Sequence, residues 1–467
     1  MNLMGASRSP SPFSIPNVRR FIAFRAFFNA RFYYPVFTIL FLDFGLTLSQ
    51  FALLNVVWAA TIVLVEVPSG ALADIWGRRN LLVFSGALMI LEMAVLCLAP
   101  RGYPHLLFGA FLLNRVLSGT AEAAASGADE ALAYDTLKHE GDVQDWGRVL
   151  DVQMRVQSTA FIVVMSLGAA VYDPELMQWL VHWLGFKILI TQETTLRFPA
   201  YLTLLSAVLT LLSALGMREV YPDESQTGTP PQGCGESIAK AFRLTLDAGR
   251  WILKTPFALF IILAGLLFDH VIRMLITMNS QYYRLIHLPE ASFGLIGSAL
   301  AGLGLFVPRL ALQLAQKRSP VFNLGLLAGV TLLGLIGMSR FLPFYGLLPI
   351  VALMAVMYCI NFLVSHYLNK ITDSQQRATV LSFKGLSYNL AYGLIGLLYS
   401  LLLLALRLEA QKEGAPGSAD SLKDVVFVKS IAWFPGYFTL ILACLLLYAR
   451  WRLKGTGRQG VAGIEQG

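Results

Sequence analysis

Long apolar runs alternate with short polar breaks along almost the whole chain. The runs are about 20 residues long, which is the length that an α-helix needs to cross a bilayer. They do not alternate with period two, so helices rather than barrel strands must satisfy the backbone polar groups. The pattern predicts twelve membrane-spanning helices, at 21–42, 48–70, 80–99, 104–128, 153–172, 197–217, 256–284, 290–315, 321–340, 343–366, 381–406 and 430–450.

The longest interior break divides these spans into two sets of six. Its centre, "DESQTGTPPQGCGES", has the composition of a flexible, solvated linker. Its second part, "IAKAFRLTLDAGRWILK", is predicted to form an amphipathic helix along the inner membrane surface. We therefore predict a tail, a six-helix bundle, a linker, a second six-helix bundle and a second tail, over 1–20, 21–217, 218–255, 256–450 and 451–467.

The basic residues predict the orientation. They are concentrated in alternate breaks, beginning with Arg78 and Arg79, and in the C-terminal tail, whereas the opposite side has mostly single basic residues. The positive-inside rule then places both termini in the cytoplasm and the protein in the cell membrane. The net charge of +8 reflects this distribution, because the basic residues lie at the ends of apolar runs and not on a nucleic-acid-binding face.

Composition agrees with an integral membrane protein. Hydrophobic residues make up 56% of the chain and charged residues only 14%, which is well below the charge of a soluble domain. The four cysteines are far apart and form no CxxC pair, and the six histidines are scattered. We therefore expect no metal and no cofactor. We also expect no enzyme, because no catalytic constellation appears near either membrane surface.

The break between spans two and three carries the most informative motif. It reads "EVPSGALADIWGRRN" over 66–80, with small residues and charges at regular positions. Two glycines let helix ends approach closely and turn. The stretch resembles the signature loop of the major facilitator superfamily, G-x-L-x-D-x-x-G-R-R/K. The matching residues are Gly70, Leu72, Asp74, Gly77, Arg78 and Arg79.

This resemblance implies a fold and a gate. In the superfamily, two six-helix bundles related by pseudo-symmetry rock about a central substrate site. The charges of the signature loop lock the cytoplasmic side, which implies that role for Asp74, Arg78 and Arg79, with Glu66 as a further member. An alternative is that the two arginines only set topology. Charges at the inner helix ends are additional gate candidates: Asp129, Glu130, Asp135 and Arg377.

Ionisable residues inside the spans need an explanation, because each costs about 3 kcal/mol to insert. In span four, Arg115, Glu122 and Asp129 are spaced by seven residues and are predicted to form one stripe facing a cavity. The segment "RVLSG" also resembles the span-four motif of proton-coupled branches of the superfamily. That resemblance implies a proton-coupling role for Arg115, with Glu122 as its protonation partner. A structural Arg–Glu pair is the alternative.

Spans one and seven carry further candidates. Arg31 is predicted about 16 Å into the first helix, too deep to reach the surface easily. Asp269 and Arg273 form an i,i+4 pair on span seven. We include all three as substrate or coupling candidates. Glu92 and Arg309 are isolated charges to which we assign no function.

The favoured interpretation is an all-α secondary transporter that moves a small solute by alternating access, coupled to protons. We expect a monomer in the lipid bilayer with no nucleic-acid partner. Arginines in spans one and four favour an anionic or amphipathic solute, and the lack of a Gly-Pro motif in span five disfavours drug efflux without excluding it. A non-transporting sensor or scaffold and a lipid-handling membrane protein remain as alternatives.

Overall fold

The computed structural model describes residues 11–220, 234–371, 374–412 and 419–453, and this part of the chain is almost entirely helical. The first ten α-helices are α1 Pro16–Phe28, α2 Phe37–Phe44, α3 Leu48–Trp76, α4 Arg78–Cys97, α5 Pro104–Ala125, α6 Ala128–Glu140, α7 Trp146–Tyr172, α8 Pro174–Trp183, α9 Gln192–Thr195 and α10 Phe198–Gly216. The other nine are α11 Cys234–Lys254, α12 Pro256–Thr277, α13 Asn279–Leu285, α14 Ser292–Lys317, α15 Pro320–Met338, α16 Leu347–Ile371, α17 Ser374–Lys412, α18 Ala419–Ile431 and α19 Phe434–Leu453.

Within the described residues, ten helices are long and apolar enough to cross a membrane. They correspond to predicted spans two, three and five to twelve, and the count is consistent with the twelve predicted spans. The segments of predicted spans one and four are not among the ten. These two segments contain the buried residues Arg31 and Arg115, whereas the buried Glu92 and Asp269 lie in spans that are among the ten.

The first predicted span is not one continuous helix. Helix α1 ends at Phe28 and α2 begins at Phe37. Pro35 has no N–H to donate to a helical ladder, and the side chain of Asn29 donates instead to a main-chain carbonyl one turn back, at 2.8 Å. The predicted continuous helix over 21–42 is therefore wrong.

The interrupted segment packs directly on α7. A Cβ atom on Gly168 would lie 1.9 Å from the carbonyl oxygen of Phe32. The N–H of Phe32 donates to the hydroxyl of Thr203 at 3.0 Å. A residue without a side chain therefore lets the broken backbone approach α7, and a neighbouring hydroxyl satisfies one of its free donors.

By its internal contacts the chain divides into two compact units. We call the residues up to Val36 together with Thr61–Ala241 the first unit, and Phe37–Ala60 together with the residues from Phe242 onward the second unit. The chain thus passes from one unit to the other three times, between Val36 and Phe37, within α3, and within α11.

Residues 37–60 are held within the second unit by polar contacts. The hydroxyl of Thr38 donates to the carbonyl oxygen of Thr277 at 2.6 Å. Arg284 donates two hydrogen bonds to the carboxylate of Asp43, at 3.0 and 2.7 Å, in a bidentate pair. Such a fork fixes orientation as well as distance.

Helix α12 is the most enclosed span of the second unit. About 72% of its apolar window is buried, compared with 17% for α14. Close approach to α17 depends on Gly265, where a Cβ atom would lie 1.8 Å from the hydroxyl of Tyr388. Small residues perform this role in membrane bundles because packing, not exclusion from water, associates the helices.

Candidate functional site

The first unit contains a buried ion pair between the interrupted first span and α4. Arg31 lies in the break after α1, and its Nη1 is 2.6 Å from Oε2 of Glu92. The side chains are 2% and 0% exposed. Glu92, which the sequence left as an isolated charge, is therefore the counter-ion of Arg31. A charge pair in this setting must be satisfied on both sides, because an unpaired partner would be costly.

A hydrogen-bonded network extends from this pair to α5. The phenol of Tyr33 donates to Oε1 of Glu92 at 3.4 Å and accepts from Arg115. Arg115 also donates to the side-chain oxygen of Asn114, at 2.9 and 3.2 Å. The side chain of Asn114 in turn donates to the carbonyl oxygen of Glu92 at 2.9 Å. Arg115 is thus buried in a polar network whose acidic member is Glu92.

Glu122 has a different environment from Arg115. Its side chain is exposed, whereas Arg115 is 3% exposed. Among the described residues, no hydrogen bond or ion pair reaches the carboxylate of Glu122. Arg115 and Glu122 therefore do not form the direct pair that the sequence left open as a structural alternative.

The predicted stripe of three charges on one helix is wrong at its inner end. Helix α5 ends at Ala125, and Gly127 adopts a left-handed conformation with φ of 76°. Asp129 therefore belongs to the next helix, α6. A glycine adopts this left-handed conformation readily, so the chain can leave α5 and begin α6 here instead of continuing one helix through Ala128.

Asp129 and Glu130 form ion pairs with Arg25 of α1. Nε of Arg25 is 2.6 Å from Oδ2 of Asp129, and its Nη2 pairs with Glu130. Burial raises the pKa of the Asp129 carboxyl, and the Arg25 guanidinium opposes that shift. Arg25 is therefore a member of the acidic cluster rather than a side chain that only extends toward the membrane surface.

The signature loop is tied to its neighbours by Arg78, Arg79 and Glu219. The carboxylate of Glu219 accepts the backbone N–H groups of Arg78 and Arg79, at 3.0 and 2.8 Å, where the N-terminus of α4 favours an anion. The Arg79 side chain donates to the carbonyl oxygens of Met217 and Leu215, at 2.7 and 3.1 Å. These two residues are at the C-terminal end of α10, whose last carbonyls lack helical partners.

Of the predicted gate residues, Arg78 and Asp135 contact each other, whereas the side chains of two others are not described. Arg78 forms an ion pair with Asp135 of α6. Gly77 has a φ of 86°, which strains a residue with a side chain, and a Cβ atom there would lie 2.6 Å from the Glu219 carboxylate, so glycine is favoured here. Gly70 is exposed and Glu66 is half-buried. The side chains of Asp74 and Arg377 lie outside the described residues.

In the second unit, the predicted Asp269–Arg273 pair is loose. Oδ2 of Asp269 is 3.7 Å from Nη1 of Arg273, which is too long for a hydrogen bond. Nη1 of Arg273 instead donates to the side-chain oxygen of Asn389 at 3.0 Å. The guanidinium carbon lies 5.2 Å from the centre of the Tyr392 ring, which is a cation–π distance.

Lys384 and Tyr388 complete this cluster. Nζ of Lys384 donates to the hydroxyl of Ser365 at 3.3 Å and lies 5.5 Å from the centre of the Tyr388 ring. The hydroxyl of Tyr388 and Oδ2 of Asp269 are both buried without a hydrogen-bond partner among the described residues. A buried polar group without a partner is unusual enough to require an explanation.

The sequence did not predict several of these residues. Glu92 and Lys384 were visible as charges in apolar runs, but their partners are distant along the chain and belong to other helices. Glu219 follows the predicted end of span six and carried no motif. Tyr388 and Asn389 are ordinary membrane-helix residues whose roles depend on what α17 faces.

The arrangement can hold charges and exchange protons, but it offers no metal cage. No group of three or more His, Cys, Asp or Glu residues that could hold a metal ion occurs in the described residues. Of the ionisable residues described above, Glu122 is exposed and the Arg273 side chain is 34% exposed, so both are candidates for contact with a solute or a proton.

Comparison with known proteins identifies the fold. The family model of the Major Facilitator Superfamily matches residues 21–396. A bacterial homologue of the human lysosomal transporter Spinster, solved inward-facing and unoccupied, has a TM-score of 0.68 at 16% identity, covering 95% of this chain and 98% of that chain.

Two transporters with named solutes are also similar in structure. The nucleoside transporter NupG has a TM-score of 0.63 at 13% identity, covering 93% of this chain and 98% of that chain. A D-xylose–proton symporter has a TM-score of 0.58 at 13% identity, covering 90% and 97%.

At these identities the likeness shows the fold and not the solute. No curated protein matches the chain. The family match covers most of the helices of both units, and the chain belongs to the major facilitator superfamily.

Proposed function

We propose that this protein is a secondary active transporter that moves a small solute by alternating access and couples that movement to protons at Glu122. The observation that carries the proposal is that two glutamates in the first unit differ in burial and in ion pairing. Glu92 is buried and paired with Arg31, whereas Glu122 is exposed and has no partner among the described residues.

A proton carrier must be reachable and must change its charge during the cycle. Glu92 does not meet that requirement, because its protonation would leave Arg31 buried without a counter-ion. Glu122 meets it, since its carboxylate can bind and release a proton without breaking an ion pair. An unpaired ionisable residue on a membrane helix is also the usual sign of a proton or substrate pathway.

The relatives give coarse support to coupling. A proton symporter for D-xylose shares this fold, although at 13% identity it does not indicate the solute or the coupling ion of this chain. The positive-inside pattern supports cytoplasmic termini, and the ion pairs around Arg78 and Arg25 lie at the predicted cytoplasmic ends of their helices, where a gate would be. The gating role of Arg78, Arg79 and Asp135 is part of this proposal.

The test is solute flux into proteoliposomes with and without an imposed pH gradient. We expect the wild-type protein to accumulate its solute only when the gradient is present. Glu122→Gln removes the titratable proton but keeps the size of the side chain, and we expect it to exchange solute across the membrane without gradient-driven accumulation. Glu175→Gln, at an exposed position on α8, is the matched control and should behave like wild type.

Three results would count against the proposal in different ways. Full gradient-driven accumulation by Glu122→Gln would remove Glu122 from coupling. Accumulation without a gradient would remove proton coupling altogether. Failure of the wild-type protein to move any solute that it binds would favour the sensor or scaffold alternative.

A further inference from the structure

One edge of the Arg273 guanidinium is available to a ligand. Its Nη1 is used by Asn389, but Nε and Nη2 donate to no described residue. The side chain is 34% exposed, although α12 is otherwise the most enclosed span of its unit. The Nε–Nη2 edge of arginine matches the two oxygens of a carboxylate or phosphate.

The guanidinium is fixed in place before any ligand arrives. Asn389 holds one nitrogen at 3.0 Å, and the Tyr392 ring lies beneath the group at 5.2 Å. Tyr392 is itself held, because its hydroxyl is 3.0 Å from that of Thr277. A donor edge held in this way loses little entropy when it binds an anion.

The two unpartnered buried atoms nearby are complementary to each other. The Tyr388 hydroxyl is a donor without an acceptor, and Oδ2 of Asp269 is an acceptor without a donor. Tyr388 is only 6% exposed. Asp269 also interacts electrostatically with both Arg273 and Lys384. It is therefore shared between two cations and fully bonded to neither.

The charges of this cluster do not balance. Arg273 and Lys384 carry two positive charges against the single negative charge of Asp269, which leaves one positive charge in excess. The first unit differs in access rather than in charge balance, since Arg31 and Arg115 are only 2% and 3% exposed beside Glu92, whereas Arg273 is 34% exposed. The sequence favoured arginines in spans one and four as the groups that bind an anionic solute. The structure favours Arg273 of the second unit instead.

We propose that Arg273 binds the anionic group of the transported solute, a carboxylate or a phosphate, while Asp269 passes from Arg273 to Lys384 and Tyr388. This inference rests on the proposed transport function and names its solute class. The arriving anion takes the Nε–Nη2 edge and replaces Asp269 as the counter-ion of Arg273. Asp269 then accepts from Tyr388 and pairs with Lys384, so that both unpartnered atoms are satisfied.

The proposal is tested by ligand-induced thermal stabilisation of the full-length purified protein. The probes are small monocarboxylates, dicarboxylates and sugar phosphates, each paired with its neutral amide or dephosphorylated form. A ligand that binds the folded state raises its unfolding midpoint in a concentration-dependent way. We expect at least one anionic probe to do so and its neutral twin not to. The carboxylate and phosphate series distinguish the two forms of anion.

Four variants assign the effect to the cluster. Arg273→Gln should abolish the stabilisation. Arg273→Lys keeps the charge but loses the fork, and should weaken apparent affinity by about tenfold. Arg250→Gln, an exposed arginine of the same unit paired with Asp247 at 3.1 Å, is the control and should retain wild-type affinity.

Asp269→Asn gives the most specific result, because it removes the resident counter-ion. We expect it to tighten anion binding by about tenfold, the scale of one charge interaction near a partly exposed site. General damage to the fold would weaken binding instead, so the direction of change separates the two explanations.

The outcomes also separate this inference from transport itself. Equal stabilisation by neutral twins, retained binding in Arg273→Gln, or no stabilisation by any anion would overturn the anion site. Undiminished flux of an uncharged solute in Arg273→Gln would do the same while leaving transport intact. Anion binding that depends on Arg273 but leads to no flux would preserve the site and overturn the transport function.

Discussion

Glu92 and Glu122 are both glutamates on predicted membrane helices of the first unit, but in the part of the chain that the structure describes only Glu92 has an ion-pair partner. The pairing of Glu92 with Arg31 at 2.6 Å gives each residue a buried counter-ion. Arg31 stays a predicted coupling candidate, and we propose that its burial within the Tyr33–Arg115 network gives it a positioning role. Removing one partner of such a buried pair destabilises the fold strongly, whereas replacing both partners with apolar residues costs less stability.

Glu92→Gln should therefore destabilise the protein by about 3–5 kcal/mol, because Arg31 is left buried without a counter-ion. The double replacement Arg31→Met with Glu92→Leu should recover part of that loss, because it removes the buried charge of Arg31 but leaves Arg115 without its acidic neighbour. The midpoint of thermal unfolding of the purified variants is the measurement. A double variant as unstable as the single one would show that the pair is needed for more than charge balance.

Gly168→Ala should be poorly tolerated for a steric reason. The new Cβ atom would lie 1.9 Å from the carbonyl oxygen of Phe32, and a backbone atom cannot rotate away. We expect a loss of about 1–3 kcal/mol or more, read as a lower unfolding midpoint or reduced yield of folded protein. Gly147→Ala on the same helix has open space around its Cβ position and should be neutral. Equal effects of the two changes would contradict this packing.

At the scale of elements, hydropathy predicted the helices better than their interruptions. A window average counts apolar residues and is insensitive to one proline, so the break between α1 and α2 was not expected although Pro35 and Asn29 were visible. The same applies to Gly127, which ends the fourth span before Asp129. Partners such as Glu92 for Arg31 depend on which helices are neighbours, and local sequence does not contain that information.

The segment 37–60 supplies a prediction at this scale. Its attachment within the second unit includes the bidentate contact of Asp43 with Arg284, which also pairs with Glu290 at 2.6 Å. Asp43→Asn should weaken the attachment by about 1 kcal/mol. Backbone amide exchange in α2 should then be several times faster. Glu290→Gln removes a contact between Arg284 and the loop that follows it, and exchange in α2 should not change. Unchanged exchange in Asp43→Asn would show that apolar packing alone holds α2.

At the scale of the whole molecule, the sequence predicted the class correctly, because the evidence for it is distributed along the chain. Twelve apolar runs and the basic residues in alternate breaks indicate a membrane protein and its topology, the signature loop over 66–80 resembles that of the superfamily, and the family match over 21–396 confirms the superfamily. The solute class that we propose depends instead on a few side chains, Arg273, Lys384 and Asn389. Their arrangement follows from the packing of α12 against α17 and not from any motif.

Gradient-driven uptake into proteoliposomes measures directly whether solute movement is coupled to protons at Glu122. We expect the wild-type protein to accumulate solute only under a pH gradient, and Glu122→Gln to equilibrate solute without accumulating it. Wild-type accumulation that persists in Glu122→Gln would contradict this coupling.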